Sequence, residues 1–130
     1  MYILGDIGNT ETKVCLVSKN NKIIKKISFS SKEITNNKLT KIFKKNKLKF
    51  KDVEKILFCS VVPKSFNLIR KFLSKKTNIK CYEVKNLNLK SLIKVKVDYK
   101  QVGSDRITNA ISVMDHKNNF IILDFGTATT

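Results

Sequence analysis

The amino-terminal part of the chain alternates short apolar runs with turn residues, a pattern typical of β-strands. An apolar run at residues 2–7 predicts a buried strand, and residues 14–17 and 23–29 predict two more. The connections are short, and the second contains Asn20 and Asn21, which favour turns. Strands joined so closely pair in antiparallel fashion, so we expect a three-stranded meander.

Helical and strand patterns alternate through the rest of the chain. Apolar residues at helical spacing predict helices at residues 37–46, 63–77 and 104–115. Pro63 stands where a helix can begin, because the first turn does not use its missing N–H group. Strands are expected at residues 56–62, 79–84 and 120–124, with an extended segment at 92–97. This order predicts an α/β fold, with a mixed sheet and helices on its faces.

The composition is that of a globular protein, since 42% of the 130 residues are hydrophobic. No apolar run approaches the roughly 20 residues that span a bilayer. The first residues also lack the basic start and the long apolar stretch of a signal peptide. We therefore expect a cytoplasmic protein without membrane contact. Cys15, Cys59 and Cys81 have neither zinc-ligand nor disulfide spacing, and we expect them to be reduced thiols in the core.

The net charge of +17 raises the question of a polyanionic partner. Among the 27 basic residues only Arg70 and Arg106 are arginines, and the lysines are spread along the chain without an aromatic stacking motif. Two interpretations remain, a compositional habit and the binding of a polyanion. The even spread favours the first, so nucleic acid is not expected as a partner.

Similar segments stand at the two ends of the chain. "YILGDIGNTET" near the start and "FIILDFGTATT" at residues 120–130 both place an apolar strand before an Asp, a Gly and small hydroxyl residues. The similarity suggests two related halves. We expect a first domain at residues 1–117 and the first strand and phosphate loop of a second at residues 118–130. Most of that second domain is expected to lie outside this chain.

Both end segments have the residues that phosphate binding needs. Glycine lets backbone N–H groups approach phosphate oxygens, while threonine and lysine add donors and charge. Asp6 and Asp124 would repel a phosphate unless a cation lay between, so these carboxylates imply a metal ion. The alternative is an ordinary hairpin turn, since Asp, Gly and Asn all favour turns. The repetition of the pattern argues against that alternative.

A third segment, "VGSDRITNAISVMD", opens the helix predicted at residues 104–115. Ser104 or Asp105 could simply cap this helix, because its first turn favours hydroxyl and carboxylate side chains. A cation is disfavoured there, so Arg106 needs another explanation, and its planar fork suits a carboxylate or a phosphate. Asp and Arg side by side favour a site that holds an anionic substrate and orients its hydroxyl.

"DIGNTETK", "GSDR" and "DFGTATT", in that order, together with "CSVVPK" at residues 59–64, resemble the N-terminal half of type III pantothenate kinases. The resemblance implies a ribonuclease H-like fold of the actin, sugar-kinase and Hsp70-like superfamily, duplicated around a cleft, and a homodimer. It also implies that ATP, with magnesium, phosphorylates pantothenate to 4'-phosphopantothenate, the first step of coenzyme A synthesis. That family is known to need a monovalent cation, potassium or ammonium.

Carried over motif by motif, the resemblance implies a role for each matching residue. Gly103, Ser104, Asp105 and Arg106 would bind pantothenate, with Asp105 as the proton acceptor. Asp124 would hold the monovalent cation, and Asp6 would face the magnesium of the nucleotide. ATP would be bound by Asp6, Ile7, Gly8, Asn9, Thr10, Glu11, Thr12, Lys13 and Thr127.

Two positions depart from the family pattern, which often has a Tyr and a Pro shortly before the Gly of G-x-D-R. Lys96 and Tyr99 stand there instead, so the pantothenate pocket is expected to differ. We expect little kinase activity from this chain alone. The alternative functions are another phosphotransferase of the same fold and a basic, non-catalytic binding protein. His116, at a helix end, is expected to meet terminal carbonyl groups.

Overall fold

The computed structural model of the chain describes residues 1–32, 34–115 and 117–125. Its elements are β1 (Tyr2–Ile7), β2 (Glu11–Val17), β3 (Ile23–Ser30), α1 (Asn36–Lys45), β4 (Lys55–Ser60), α2 (Pro63–Thr77), β5 (Cys81–Glu83), a short 3₁₀ helix (Val84–Asn86) and α3 (Ser104–Val113). The strands form one sheet in the order β3-β2-β1-β4-β5. β2 is antiparallel to β1 and β3, whereas β4 is parallel to β1 and β5. The predicted α/β fold, with its mixed sheet and antiparallel meander, is confirmed.

Local sequence explains where the elements begin and end. Thr35 caps α1, because its side-chain oxygen accepts a hydrogen bond from a backbone N–H of the first turn. Pro63 opens α2, and Asn78 ends it in the left-handed conformation at φ 59°. Gly5 is required within β1, because the ring of Phe58 on β4 fills the space that a Cβ atom would occupy.

One face of the sheet forms the main core. Successive residues of a strand point to opposite sides, and Ile3, Ile7, Ile56 and Phe58 lie on the side that we call the apolar face. These four side chains are at most 1% exposed and pack in one cluster with buried residues of α1 and α2. The apolar face therefore carries most of the hydrophobic stabilisation of this chain.

The opposite face, which we call the polar face, has a different composition and less cover. It carries Leu4 and Asp6 of β1 and Cys59 of β4. Cys59 joins a smaller cluster with Ile107, because α3 packs against β4. Leu4 is 40% exposed, so this helix leaves part of the polar face open.

Several predicted strand bounds change. β2 begins earlier than predicted, at Glu11, and β4 ends at Ser60 because Val62 already serves as the cap residue of α2. β5 contains only Cys81–Glu83 and passes directly into the 3₁₀ helix. Residues 92–97 pair with no strand in the described part of the chain.

The strand predicted at residues 120–124 is wrong. A strand needs a neighbour for its backbone hydrogen bonds, and the structure assigns no ladder to residues 120–124, although Phe125, the next residue, forms an isolated β-bridge. Ile121 is 92% exposed, so apolar composition alone does not produce a buried strand here. The domain boundary after residue 117 stays a prediction. Across residues 1–32, 34–115 and 117–125, no helix is long and apolar enough to cross a bilayer.

Candidate functional site

The predicted phosphate loop is the tight turn between β1 and β2. The Gly8 N–H group donates to the Glu11 carbonyl oxygen at 3.0 Å, which closes the turn. Asn9 and Thr10 are exposed at its tip. The turn therefore presents backbone and short polar side chains to solvent, as phosphate binding requires.

Some side chains of the predicted ATP-binding segment face the interior instead. Ile7 and Thr12 are fully buried, and the Thr12 hydroxyl shares a hydrogen bond with that of Ser31 at 2.8 Å. A role in ATP binding for these two residues rests on their main chain. Lys13 is exposed and pairs with Glu11, with 3.6 Å between nitrogen and oxygen, so its ammonium group is accessible to an anion.

Asp6 contacts a cysteine of the neighbouring strand on the polar face. The strand register places Asp6 beside Cys59, whose thiol donates to Asp6 Oδ1 with 3.4 Å between sulfur and oxygen. Burial, then the negative charge of Asp6 and more weakly that of Asp105, raises the pKa of the Cys59 thiol to about 12. The thiol therefore keeps its proton at neutral pH and acts as a donor. Asp105 stands in the first turn of α3, and this helix packs against β4, the strand that carries Cys59.

The start of α3 positions Asp105. Gly103 is the cap residue, and Asp105 Oδ1 accepts a hydrogen bond from the Arg106 N–H group at 2.8 Å. The same carboxylate oxygen lies where a Cβ atom on Gly103 would stand, so a side chain there would displace Asp105. The glycine of the motif therefore has a steric role.

Ser104 fastens α3 to the end of β4. Ser104 is 1% exposed, and its hydroxyl accepts from the Ser60 N–H group at 2.6 Å and donates to the Ser60 carbonyl at 3.1 Å. These two hydrogen bonds occupy the hydroxyl proton and one acceptor position of Ser104 with partners inside the protein. A contact between Ser104 and a substrate therefore rests on its main chain.

Arg106 and Asp124 line a second part of the site. They share a cavity of about 380 Å³ with Asn109 and Ile122. The Asn109 side-chain amide donates to Asp124 Oδ2 at 3.2 Å. This hydrogen bond connects α3 with the segment that follows it. The cavity thus has both a guanidinium group, from Arg106, and a carboxylate, from Asp124, in its lining.

The described residues do not form a cluster of side chains that could bind a metal ion without help from a substrate. In residues 1–32, 34–115 and 117–125, no group of three or more His, Cys, Asp or Glu side chains could hold one. Magnesium is commonly held by one or two carboxylates together with substrate phosphates, and a single Asp6 fits that arrangement. Thr127 and His116 lie outside the described residues.

Two residues of the site were not predicted as functional. Cys59 was assigned to the core, and its contact with Asp6 follows only from the parallel register of β1 and β4. Asn109 stands one helical turn after Asp105, so helix periodicity alone could have placed both on one side of α3. Sequence reasoning about single motifs missed both, because each contact joins different elements.

Comparison with known proteins gives consistent similarities. The family described as type III pantothenate kinase matches residues 2–130. A type III pantothenate kinase of Pelagibacter ubique (strain HTCC1062) is 58% identical over 130 residues, covering 100% of this chain and 52% of that protein. A type III pantothenate kinase of Desulforapulum autotrophicum is 29% identical over 136 residues, with the same coverage. The chain thus spans about half the length of these curated relatives.

Proposed function

This chain belongs to the type III pantothenate kinase family, of the actin-like ATPase fold, and from that premise we propose that it forms part of an enzyme that phosphorylates pantothenate. ATP would donate the phosphoryl group, and 4'-phosphopantothenate would enter coenzyme A synthesis. The observation that carries the proposal is the packing of α3, whose first turn carries Asp105, against β4, whose Cys59 contacts Asp6 at the start of the predicted phosphate loop.

Asp105 would orient the substrate hydroxyl and accept its proton. Its Oδ1 is held by the Arg106 N–H group, which fixes the direction of the carboxylate. Phosphoryl transfer passes through a loose transition state, so positioning contributes more than the strength of the base. The side chain of Arg106, exposed and lining the neighbouring cavity, is suited to bind the pantothenate carboxylate.

The turn at Gly8, Asn9 and Thr10 would bind the ATP phosphates, with Lys13 adding positive charge. Asp6 would face the magnesium ion of the nucleotide, which offsets the repulsion between carboxylate and phosphate. Asp124 would hold potassium or ammonium, and its hydrogen bond from Asn109 would set its orientation. A homodimer in the cytoplasm, as the resemblance implies, belongs to the same proposal.

A coupled assay of ATP consumption tests this function. The sample is this sequence continued to the full length of its relatives, with and without pantothenate, in potassium and in sodium buffer. We expect turnover that depends on pantothenate and is stimulated by potassium. Asp105→Asn should lower kcat by roughly 10²–10⁴-fold, the usual contribution of a positioned acid or base.

Asp52→Asn is the matched control, because Asp52 is exposed in the turn before β4. It should leave turnover unchanged. Normal turnover in Asp105→Asn would exclude the proposed role of that carboxylate. ATP consumption that ignores pantothenate in a folded sample would instead support another phosphotransferase of the same fold.

A further inference from the structure

A second cavity lies on the β5 side of α3, separate from the carboxylates described above. Its volume is about 610 Å³, within the range of small-molecule sites. We call it the Glu83 recess, and its polar lining includes Asn67, Arg70, Glu83, Lys85 and Gln101. Asp6, Asp105, Arg106 and Asp124 do not line it.

Glu83 gives the recess an unusual acceptor. The residue is 9% exposed, and its Oε1 atom is buried without a hydrogen-bond partner. No ion pair joins Glu83 to Arg70 or Lys85 in the part of the chain that the structure describes. A buried carboxylate oxygen without a donor is costly, so the Glu83 carboxylate, which lines the recess, is suited to bind an N–H group or an ammonium group from a ligand.

Two cations line the same recess and are held in place by other contacts. The Arg70 guanidinium lies over the Phe66 ring, 5.7 Å from its centroid. The Lys85 ammonium donates to the carbonyls of Lys100 at 2.9 Å and Val102 at 2.6 Å. Arg70 keeps its donors free of any ion pair among the described residues and can bind an anion.

We propose that the Glu83 recess binds a small zwitterion, with its ammonium group at the Glu83 carboxylate and its carboxylate at Arg70. The two charges of such a ligand match the buried acceptor and the exposed guanidinium of the recess. The site shares Gly103 and Ser104 with the motif at the start of α3 but none of its charged side chains. The two proposed contacts, Glu83 and Arg70, are therefore separate from the charged side chains of the proposed kinase site.

Titration of the ¹⁵N-labelled chain followed by NMR tests the site with two probes. β-Alanine carries both charges, and propionate has the same carbon chain without the ammonium group. β-Alanine should shift the amide signals of Asn67, Glu83, Gln101 and Gly103. Propionate should bind roughly tenfold more weakly or worse, the usual effect of losing a charge-assisted hydrogen bond.

Variants assign the two contacts. Glu83→Gln keeps the shape of the side chain and should remove the preference for β-alanine, whereas the exposed Glu54→Gln should keep it. Arg70→Met should weaken both probes, and Lys71→Met, its neighbour on α2, should weaken neither.

Three results would overturn the proposal. The first is no shift of these amides at millimolar β-alanine. The second is equal affinity of the unmodified chain for both probes, a comparison that needs no variant to fold. The third is a preference for β-alanine that persists in folded Glu83→Gln.

Discussion

The apolar and polar faces of the sheet are built by the same strands and differ in almost everything else. On the apolar face, Ile7 and Phe58 are fully buried under α1 and α2. One residue away along each strand, Asp6 and Cys59 form a polar contact at the edge of α3. The pleat of a strand thus places stability and candidate chemistry side by side, so that a substitution can change one without the other.

The largest expected effect on stability comes from Phe58 on the apolar face. Phe58→Ala should lower the free energy of unfolding by about 3–5 kcal/mol, because it removes a buried ring and leaves a cavity. Urea unfolding followed by circular dichroism measures the change. Leu57→Ala, the neighbouring substitution on the polar face, should cost less because that side chain is only half-buried. Equal losses would contradict the distinction between the faces.

Alkaline pH compares one thiol in each cluster. Burial raises the pKa of the Cys81 thiol, in the main core, to about 12. In the smaller cluster, burial together with the charges of Asp6 and Asp105 raises the pKa of the Cys59 thiol to about 12 as well. Each thiol has a higher pKa in the folded protein than in the unfolded chain, so it loses its proton first in the unfolded chain as the pH rises. The contribution of each thiol to the free energy of unfolding is therefore complete below the ordinary pKa of 9.0 and is lost as the pH rises towards 12. We expect stability to fall by roughly 1.4 kcal/mol per pH unit for each thiol in that window.

Variants separate the two thiols in the same unfolding measurement. Cys59→Ala and Cys81→Ala should each remove the part of the fall in the free energy of unfolding with alkaline pH that comes from the substituted thiol. Asp6→Asn should reduce only the part of this fall that comes from Cys59, because Asp6 raises the pKa of the Cys59 thiol and not that of Cys81. An unchanged slope in both alanine variants would show that the slope arises from other groups.

A smaller loss is expected from Ser104, which attaches α3 to the polar face. Ser104→Ala removes both hydrogen bonds to Ser60 and leaves a main-chain N–H group without its partner. The expected cost is about 1–2 kcal/mol, measured by thermal or urea unfolding. Ser112→Ala is the matched control on the same helix, because Ser112 is exposed and its hydroxyl donates to the Asn109 carbonyl of that helix. A loss no larger than that of the control would contradict the fastening role.

Much of the fold could be predicted because its signals are local. The meander, the start of α2 at Pro63 and the start of α3 at Ser104 follow from periodicity and cap residues. The strand expected at residues 120–124 failed for the opposite reason, because pairing depends on a neighbour that no local pattern can supply.

The candidate site was predictable only in part. Asp6, Asp105 and Asp124 stand in recognisable motifs, and their proposed roles remain to be tested. Cys59, Asn109 and Glu83 escaped attention because their importance lies in contacts between elements distant in sequence, or in the lack of a contact. Composition and motif spacing contain no information on such contacts.

The smallest expected effect falls on the open part of the polar face. Leu4 and Ile3 are neighbours in β1, but Leu4 is 40% exposed and Ile3 only 1%. Leu4→Thr should change the free energy of unfolding by less than about 1 kcal/mol, since threonine suits a strand and little apolar area is lost. Ile3→Thr should cost several times more, because it buries a hydroxyl in the main core. Urea unfolding of the two variants measures the contrast, and similar losses would mean that Leu4 is covered in solution.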